Sequence, residues 1–259
     1  IPITNALLSG NKTIMVKQLL GLRHYNNIPY TSIAKGWLAI GGSTELQKGA
    51  GFYAGDLSGI TAKKLPSWFQ PFYKPGKKIA KEKDWNKKLE EIVAEAPNWD
   101  IGFLIGVPAW IQLCIEMIIK KYELNNIHEL WPNLSFFGHG GVSFEPYKQE
   151  FQRLIPDKTM NYVETYNASE GFFGIQDQLD SNELLLMLDY GIYYEFIPMR
   201  SYDGIHSKEV CNLEDVELYK NYALVISSNG GLWRYIIGDT IQFTNLKPFR
   251  FKITGRTKQ

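Results

Sequence analysis

The sequence predicts an α/β protein with a parallel-sheet core and covering helices, followed by a small antiparallel, β-barrel-like lobe. Three observations predict it. Between Ile101 and Tyr166, short apolar runs of strand length alternate with helix-length amphipathic runs. Beyond Gly174 the helical spacing stops, and only β-type runs separated by turns remain. The 259 residues are 44% hydrophobic, enough to bury a large core and to fill more than one lobe. The change of regime near Asp180-Ser181-Asn182 divides the chain into residues 1–180, the α/β part, and residues 181–259, the β-rich lobe.

The elements follow in order. Asp84 is a candidate N-cap for a helix from Trp85 to Ala96, where Trp85, Leu89, Ile92, Val93 and Ala96 hold one apolar face. Pro97-Asn98 ends it. Ile101 to Val107 reads as a buried strand, and Pro108 suits the first turn of the next helix. That helix is apolar nearly all round from Ile111 to Tyr122, which predicts deep burial. Leu134 to Phe137 is a strand; Glu145 to Leu154 is a helix with Tyr147, Phe151 and Leu154 inward; Met160 to Tyr166 is the last strand of the series. The lobe takes strands at Leu184–Asp189, Ile192–Pro198, Tyr222–Ser227, Leu232–Ile237, Thr240–Thr244 and Phe249–Ile253.

Charge and cysteine usage narrow the function classes. A formal net charge of +1 without a basic cluster argues against nucleic acid as a partner. The lysine-rich run from Lys74 to Lys88 is broken by Glu82 and Asp84 and reads as a solvated helix approach. Cys114 and Cys211 are isolated thiols without metal-ligand spacing, which suits a reducing cytoplasm. No apolar run reaches membrane-spanning length and no signal peptide is present, so the expected location is cytoplasmic, with no membrane partner. The opening Ile1-Pro2-Ile3-Thr4 reads as the middle of a strand, and the sequence is expected to be a fragment.

The richest stretch for chemistry runs from Tyr162 to Gly174. It reads as a strand entering a turn that carries the Asn167 amide, the Ser169 hydroxyl and the Glu170 carboxylate, and closing on Gly171. An aromatic face, a hydroxyl and a carboxylate at the carboxyl end of a buried strand suit a nucleotide, through ring stacking, a phosphate contact and a divalent ion. Gly41-Gly42-Ser43-Thr44 lacks the lysine and the glycine spacing of a phosphate loop and reads as a plain turn. His139 beside Gly138 is a candidate acid or base, although a histidine packed near a ligand loop is the commoner outcome.

Five motifs in order then carry a resemblance. Gly106-Val107-Pro108-Ala109-Trp110, Phe137-Gly138-His139-Gly140-Gly141-Val142-Ser143-Phe144, Tyr166-Asn167-Ala168-Ser169-Glu170, Leu232 to Asp239 and Ile253-Thr254-Gly255-Arg256-Thr257-Lys258 resemble the signatures of the adenylate-forming superfamily. Within it, the wording Gly-Gly-Val-Ser-Phe, Ala-Ser-Glu-Gly-Phe-Phe-Gly and Leu-Trp-Arg-Tyr is most similar to the auxin-responsive Gretchen Hagen family of acyl acid amido synthetases and its bacterial relatives.

The resemblance implies ATP-dependent adenylation of a carboxylic acid, with ATP and Mg²⁺ as cofactors, followed by transfer of the acyl group to an amino acid. An acyl-CoA synthetase, or a non-catalytic nucleotide- or acyl-binding relative, shares the same motifs. It also implies roles. Tyr166 would stack on adenine beside Gly140, Gly141 and Val142. Ser169 would meet the α-phosphate, Glu170 would bind Mg²⁺, and Asp239, at a strand end, would take the ribose hydroxyls. Arg256 would reach the ribose or phosphates, Lys258 would sit at the hinge, and Trp110, Phe172 and Phe173 would wall the acyl pocket, with Cys114 as ordinary core. Where the superfamily has arginine, this chain has Ile236, and strand alternation would put Arg234 on the same face. The resemblance further implies that the β- and γ-phosphate loop and the mobile domain beyond the hinge are missing, so residues 1–259 alone are expected not to turn over.

Overall fold

The structure, a computed structural model, describes residues 1, 3–6, 8, 9, 20, 21, 30–156 and 160–257. Two compact units account for it: residues 28–163, and residues 164–259 together with 1–27. The regime change read near residue 180 falls inside the second unit, because the strands on either side of Ser169-Glu170 already pair antiparallel.

In residues 28–163 the elements are α1 (Tyr30–Ile33), β1 (Gly36–Ala39), β2 (Gln47–Lys48), β3 (Tyr53–Ala54), α2 (Leu57–Lys63), β4 (Tyr73–Lys74), α3 (Gly76–Ala80), α4 (Trp85–Glu95), β5 (Ile101–Gly106), α5 (Pro108–Tyr122), β6 (Phe136–Gly140) and α6 (Lys148–Leu154). Strands β4, β1, β5 and β6 lie side by side and all parallel, as the strand–helix alternation predicts. The pair β2–β3 is a separate antiparallel hairpin.

Local chemistry explains these helices. Asp84 caps α4 by accepting the Lys87 amide at 2.8 Å, which satisfies one of the helix's open first-turn donors. Leu89, Ile92 and Val93 then face the core. Pro108 starts α5, and Glu123 ends it in the left-handed conformation at φ 53°. The expected all-round burial of α5 is not found. Ile111, Cys114, Ile115 and Ile118 form one buried stripe, while Leu113 is 41% exposed, because the helix covers a sheet on one side only. Burial pushes the Cys114 thiol up to about 12, which marks it as inert core.

One face of the parallel sheet carries an aromatic rung. The rings of Trp37 and Phe103 stack at 4.2 Å, and those of Phe103 and Phe136 at 4.5 Å. Register produces the contact, since Trp37 pairs with Phe103 and Phe103 with Phe136. On β6 the buried His139 ring stacks on Phe144 at 4.4 Å.

The second unit is antiparallel throughout. Its strands are β7 (Asn161–Ala168), which enters it at Glu164, then β8 (Gly171–Ile175), β9 (Leu184–Leu186), β10 (Ile192–Pro198), β11 (Asn221–Ser228), β12 (Tyr235–Leu246) and β13 (Phe249–Arg256). They neighbour one another in the order β7-β8-β9-β13-β12-β11-β10. The two strands expected at Leu232–Ile237 and Thr240–Thr244 are a single twelve-residue strand, β12. Phe173, Phe196, Ile241, Phe243 and Phe251 are fully buried at the heart of this unit. Arg250 and Asp177, both buried, form a two-pronged ion pair, one prong at 2.9 Å, so neither charge is left unpaired in the interior. At the start of the chain the expected strand is absent. Residues 5, 6, 8 and 9 are helical, and the Leu8 amide donates to the Thr4 carbonyl at 3.1 Å.

His139 provides a prediction. Burial lowers its pKa from 6.5 to about 4, so between those values the unfolded chain binds a proton that the folded chain refuses. Stability is therefore full above about pH 6.5 and falls as pH drops toward 4, by roughly 3 kcal/mol in total. Urea unfolding of His139→Gln, followed from pH 7 to pH 4, is expected to lose this slope, and an unchanged slope would contradict it.

Candidate functional site

Strands β7 and β8 form a tight hairpin whose two-residue turn is Ser169-Glu170. The sequence reading ended the strand at Tyr166; it runs on to Ala168, so Tyr166 and Asn167 are strand residues. Gly171 does not use positive φ. A Cβ there would meet Ile192 Cδ1 at 2.6 Å, so its role is close approach. The hairpin is clamped by Gln176, whose side chain accepts the Glu164 amide at 2.8 Å and donates to the Ser181 carbonyl at 2.7 Å. Ser169 is exposed at the tip and Glu170 half-buried.

Asp239 sits within β12 and not at a strand end. Two irregularities place it. Against β11, Val225 pairs with Ile236 and Ala223 with Thr240, so three residues of β12 stand opposite Leu224 alone. Against β13, the register shifts again between Thr240 and Ile241. Gly238 occupies the resulting bulge at φ 94°, a conformation that side chains resist. Its carbonyl accepts the Thr257 amide at 2.8 Å, which fixes the bulge from the next strand's end.

The bulge turns the Asp239 carboxylate toward the aromatic core of this unit. The Tyr166 hydroxyl donates to Asp239 Oδ2 at 2.5 Å, and Arg256 Nε pairs with Oδ1 at 2.9 Å. The Tyr166 ring packs edge-on against Phe173 at 5.0 Å and Phe251 at 6.1 Å, and is 7% exposed. Burial, and then the hydrogen bond to the Asp239 carboxylate, push the Tyr166 phenol far above its usual range, so it stays a donor. The Asp239 side chain is 12% exposed and that of Arg256 is 69% exposed. A carboxylate has about four acceptor positions, and these partners use two. Asp239 thus keeps acceptor capacity beside an exposed guanidinium.

The remaining expected site residues are placed as follows. Gly140 ends β6, Gly141 follows it, and Val142 is 44% exposed, all within residues 28–163. In that unit Trp110 packs on Trp85 at 4.8 Å. Phe173 is wholly buried in the antiparallel core, whereas Phe172 is partly buried beside Ile175, Met187 and Tyr190. Lys258 lies outside the described residues. Among the described residues no three His, Cys, Asp or Glu side chains cluster as a metal cage. Arg234 departs from the strand argument. It precedes β12 at φ 44°, and its Nε pairs with Glu195 at 3.0 Å. Ile236 packs with Ile197, Ala223 and Val225.

Part of the chain matches a known family. Residues 185–256 match the GH3 family central domain. A jasmonoyl–L-amino acid synthetase, JAR4, of Nicotiana attenuata is 31% identical over 121 residues, 45% of this chain and 21% of that protein. An indole-3-acetic acid-amido synthetase, GH3.4, of Arabidopsis thaliana is 29% identical over 163 residues, 59% of this chain and 25% of that protein. Over part of its length the chain is thus similar to the GH3 family.

A solved structure shares the fold. AtGH3.15 acyl acid amido synthetase, solved in complex with 2,4-DB, has a TM-score of 0.76 at 13% identity, covering 100% of this chain and 53% of that structure. The chain thus spans about a fifth to a quarter of the curated relatives it matches and about half of the solved one. The matched central-domain segment contains the β12 bulge, Asp239 and Arg256.

Sequence reading missed two groups that position this cluster. Gln176 acts through its side-chain amide and Thr257 through its backbone amide, and their only outward signal was a glutamine just after an apolar strand and a threonine after Gly255-Arg256. Two substitutions test the geometry. Gly238→Ala meets no atom within 4 Å and is still expected to cost about 1–2 kcal/mol, because only the backbone conformation opposes it. Tyr166→Phe is expected to cost about 1.5–3 kcal/mol in urea unfolding, and much less in an Asp239→Asn background. Additive losses would show that the two side chains are not coupled.

Proposed function

We propose that the whole protein is an ATP-dependent acyl acid amido synthetase: it adenylates a carboxylic acid, then passes the acyl group to an amino acid amine. The observation that carries this reading is the Tyr166–Asp239–Arg256 cluster, which joins three of the sequence motifs at one carboxylate. The relatives named above are amido synthetases, which supports the acceptor class.

In this reading Asp239 accepts the ribose hydroxyls through its open acceptor positions, while the Tyr166 hydroxyl holds the carboxylate in place. The Tyr166 ring is edge-packed between phenylalanines, so orienting Asp239 is the role its surroundings support better than adenine stacking. Gly140, Gly141 and Val142 offer backbone groups and an exposed side chain to the adenine. Ser169 meets the α-phosphate from the hairpin tip. Glu170 holds Mg²⁺: a single half-exposed carboxylate fits an ion that takes most of its oxygens from phosphates and water. Mg²⁺ supplies charge neutralisation at the phosphates when bound. Arg256, at the end of β13, is proposed to answer the developing phosphate charge, and Lys258, outside the described residues, to serve at the hinge.

The acyl carboxylate attacks the α-phosphorus, the bond to the β-phosphate breaks, and pyrophosphate leaves. Fixed donors and exclusion of water accelerate this step. Phe172 and Trp110 are the proposed acyl contacts. Phe173 is better assigned to the core that supports Tyr166. The proposed setting is the cytoplasm, without nucleic acid or membrane partners; among the described residues no helix is long and apolar enough to cross a membrane.

Pyrophosphate release by the full-length protein, with ATP and a panel of carboxylic acids, tests the reading. Glu170→Gln keeps the shape and removes a charge beside the ion, so turnover is expected to fall at least about 100-fold with folding barely changed. Wild-type release by that variant would remove Glu170 from the metal site. No release by the wild type with any acid would overturn the enzyme reading.

A further inference from the structure

Two strands of the antiparallel unit carry the proposed site residues from different sides. β8 belongs to the hairpin that holds Tyr166, Ser169 and Glu170, and β13 ends at Arg256. Between them in the sheet lies β9, only three residues long. It pairs with β8 at Gly174 and Ile175, and with β13 at Arg250 and Phe251. Leu185 therefore stands between Ile175 and Arg250 in one row across three strands. So short a strand is a slender link by which to set the hairpin against β13.

The Asp177–Arg250 ion pair spans that link. Two strand spacings, about 10 Å, separate β8 from β13, a gap that the long arginine side chain can cross. Both side chains are buried, Arg250 at 4% and Asp177 at 5% exposure. They meet as a two-pronged fork, with Nη2 donating to Oδ2 at 2.9 Å and Nη1 to Oδ1. A fork fixes direction as well as distance, which a single charge contact does not.

Asp177 is held from the hairpin side by its neighbour. The Gln176 main-chain amide donates to the Glu164 carbonyl at 2.9 Å, and its side-chain oxygen accepts the Glu164 amide at 2.8 Å. The side chain thereby stands in for the main-chain carbonyl of a regular antiparallel pair. Its Nε2 donates to the Gln178 carbonyl at 3.1 Å and the Ser181 carbonyl at 2.7 Å, which sets the path of the chain beyond β8. Gln176 thus ties Asp177 to β7, and Asp177 ties the hairpin to β13.

Stability alone does not call for charges here. Ile175 and Leu185, next to the pair in sequence and in register, pack with Met187 and Tyr190. An apolar pair of similar volume would hold such a place at least as firmly, because burying two charges costs much of what their attraction returns. What the fork adds is placement.

We propose that Asp177 and Arg250 are positioning residues for adenylation: their fork sets the hairpin that carries Tyr166, Ser169 and Glu170 at a fixed offset from β13 and Arg256. The consequence for turnover rests on the adenylation reading above, whereas the mechanical tie does not.

Two variants of the full-length protein test it. Asp177→Leu with Arg250→Met replaces the pair by apolar groups, and Arg250→Lys keeps the charge but removes the fork. The apolar pair is expected to unfold in urea at or above the wild-type midpoint. In both variants kcat for pyrophosphate release, at saturating ATP and acid, is expected to fall about tenfold, as misplacement of reacting groups does. Amide exchange in β7 and β8 is expected to quicken about tenfold, with β10 and β11 unchanged. Should the apolar pair fold poorly, Arg250→Lys decides, since it leaves no buried charge unanswered. Wild-type kcat in a stable apolar variant or in Arg250→Lys would overturn the proposal, because the pair would then be structural only. Unchanged exchange in β7 and β8 would overturn it as well. If the wild type releases no pyrophosphate with any acid, the adenylation reading falls, and the exchange measurement still tests the tie.

Discussion

A buried carboxylate that keeps two partners and spare acceptor capacity is the constraint on which the rest of the site depends. Asp239 is almost out of water, and a carboxyl group there is tolerated because the Tyr166 hydroxyl and the Arg256 guanidinium both answer it. Its position in turn requires the bulge at Gly238, since a regular strand would not carry three residues opposite Leu224. The Phe173 and Phe251 rings beside Tyr166 complete the requirement, because the hydroxyl reaches its target only from a ring that cannot tilt away. Sequence, backbone irregularity, packing and charge converge on one group.

The hairpin that delivers Tyr166 is built by a different logic. Gly171 is close to the Ile192 side chain, and Gln176 replaces backbone partners across the hairpin base, so the Ser169-Glu170 tip stands on a fixed support. The tip itself carries little packing. Exposed polar groups on a rigid base suit contacts that form when a ligand arrives. The parallel unit of residues 28–163 offers the complement in its own frame: β5 and β6 run straight into the Val107-Pro108 helix entry and the Gly140-Gly141-Val142 segment.

Much of this was legible in the residues. Helix α4 was readable because Asp84 and an apolar stripe agree, and α5 because Pro108 marks its start. The parallel and antiparallel regimes were readable because period and β-branching change after Gly174. Other features were hidden for physical reasons. A bulge is a register event between strands, so Gly238-Asp239 looked like a break between two strands when it is a kink within one. Arg234 looked like a same-face substitute for Ile236 because alternation assumes an extended backbone, which φ 44° violates. Phe173 looked like pocket wall because an apolar ring beside a polar turn is ambiguous until its neighbours are known. The Asp177–Arg250 pair, 73 residues apart, left no local trace at all.

Nucleotide titration of this chain measures the central claim directly. If Asp239 is the ribose acceptor, AMP should bind, and 2′,3′-dideoxy-AMP should bind about 10–100-fold more weakly, as expected for losing hydrogen bonds to a charged group. The difference should shrink in Asp239→Asn, with the Tyr166 ring unmoved. Equal affinity of the wild type for both nucleotides would contradict the account, because the one carboxylate that the bulge, the tyrosine and the arginine all serve would then have no ribose to hold.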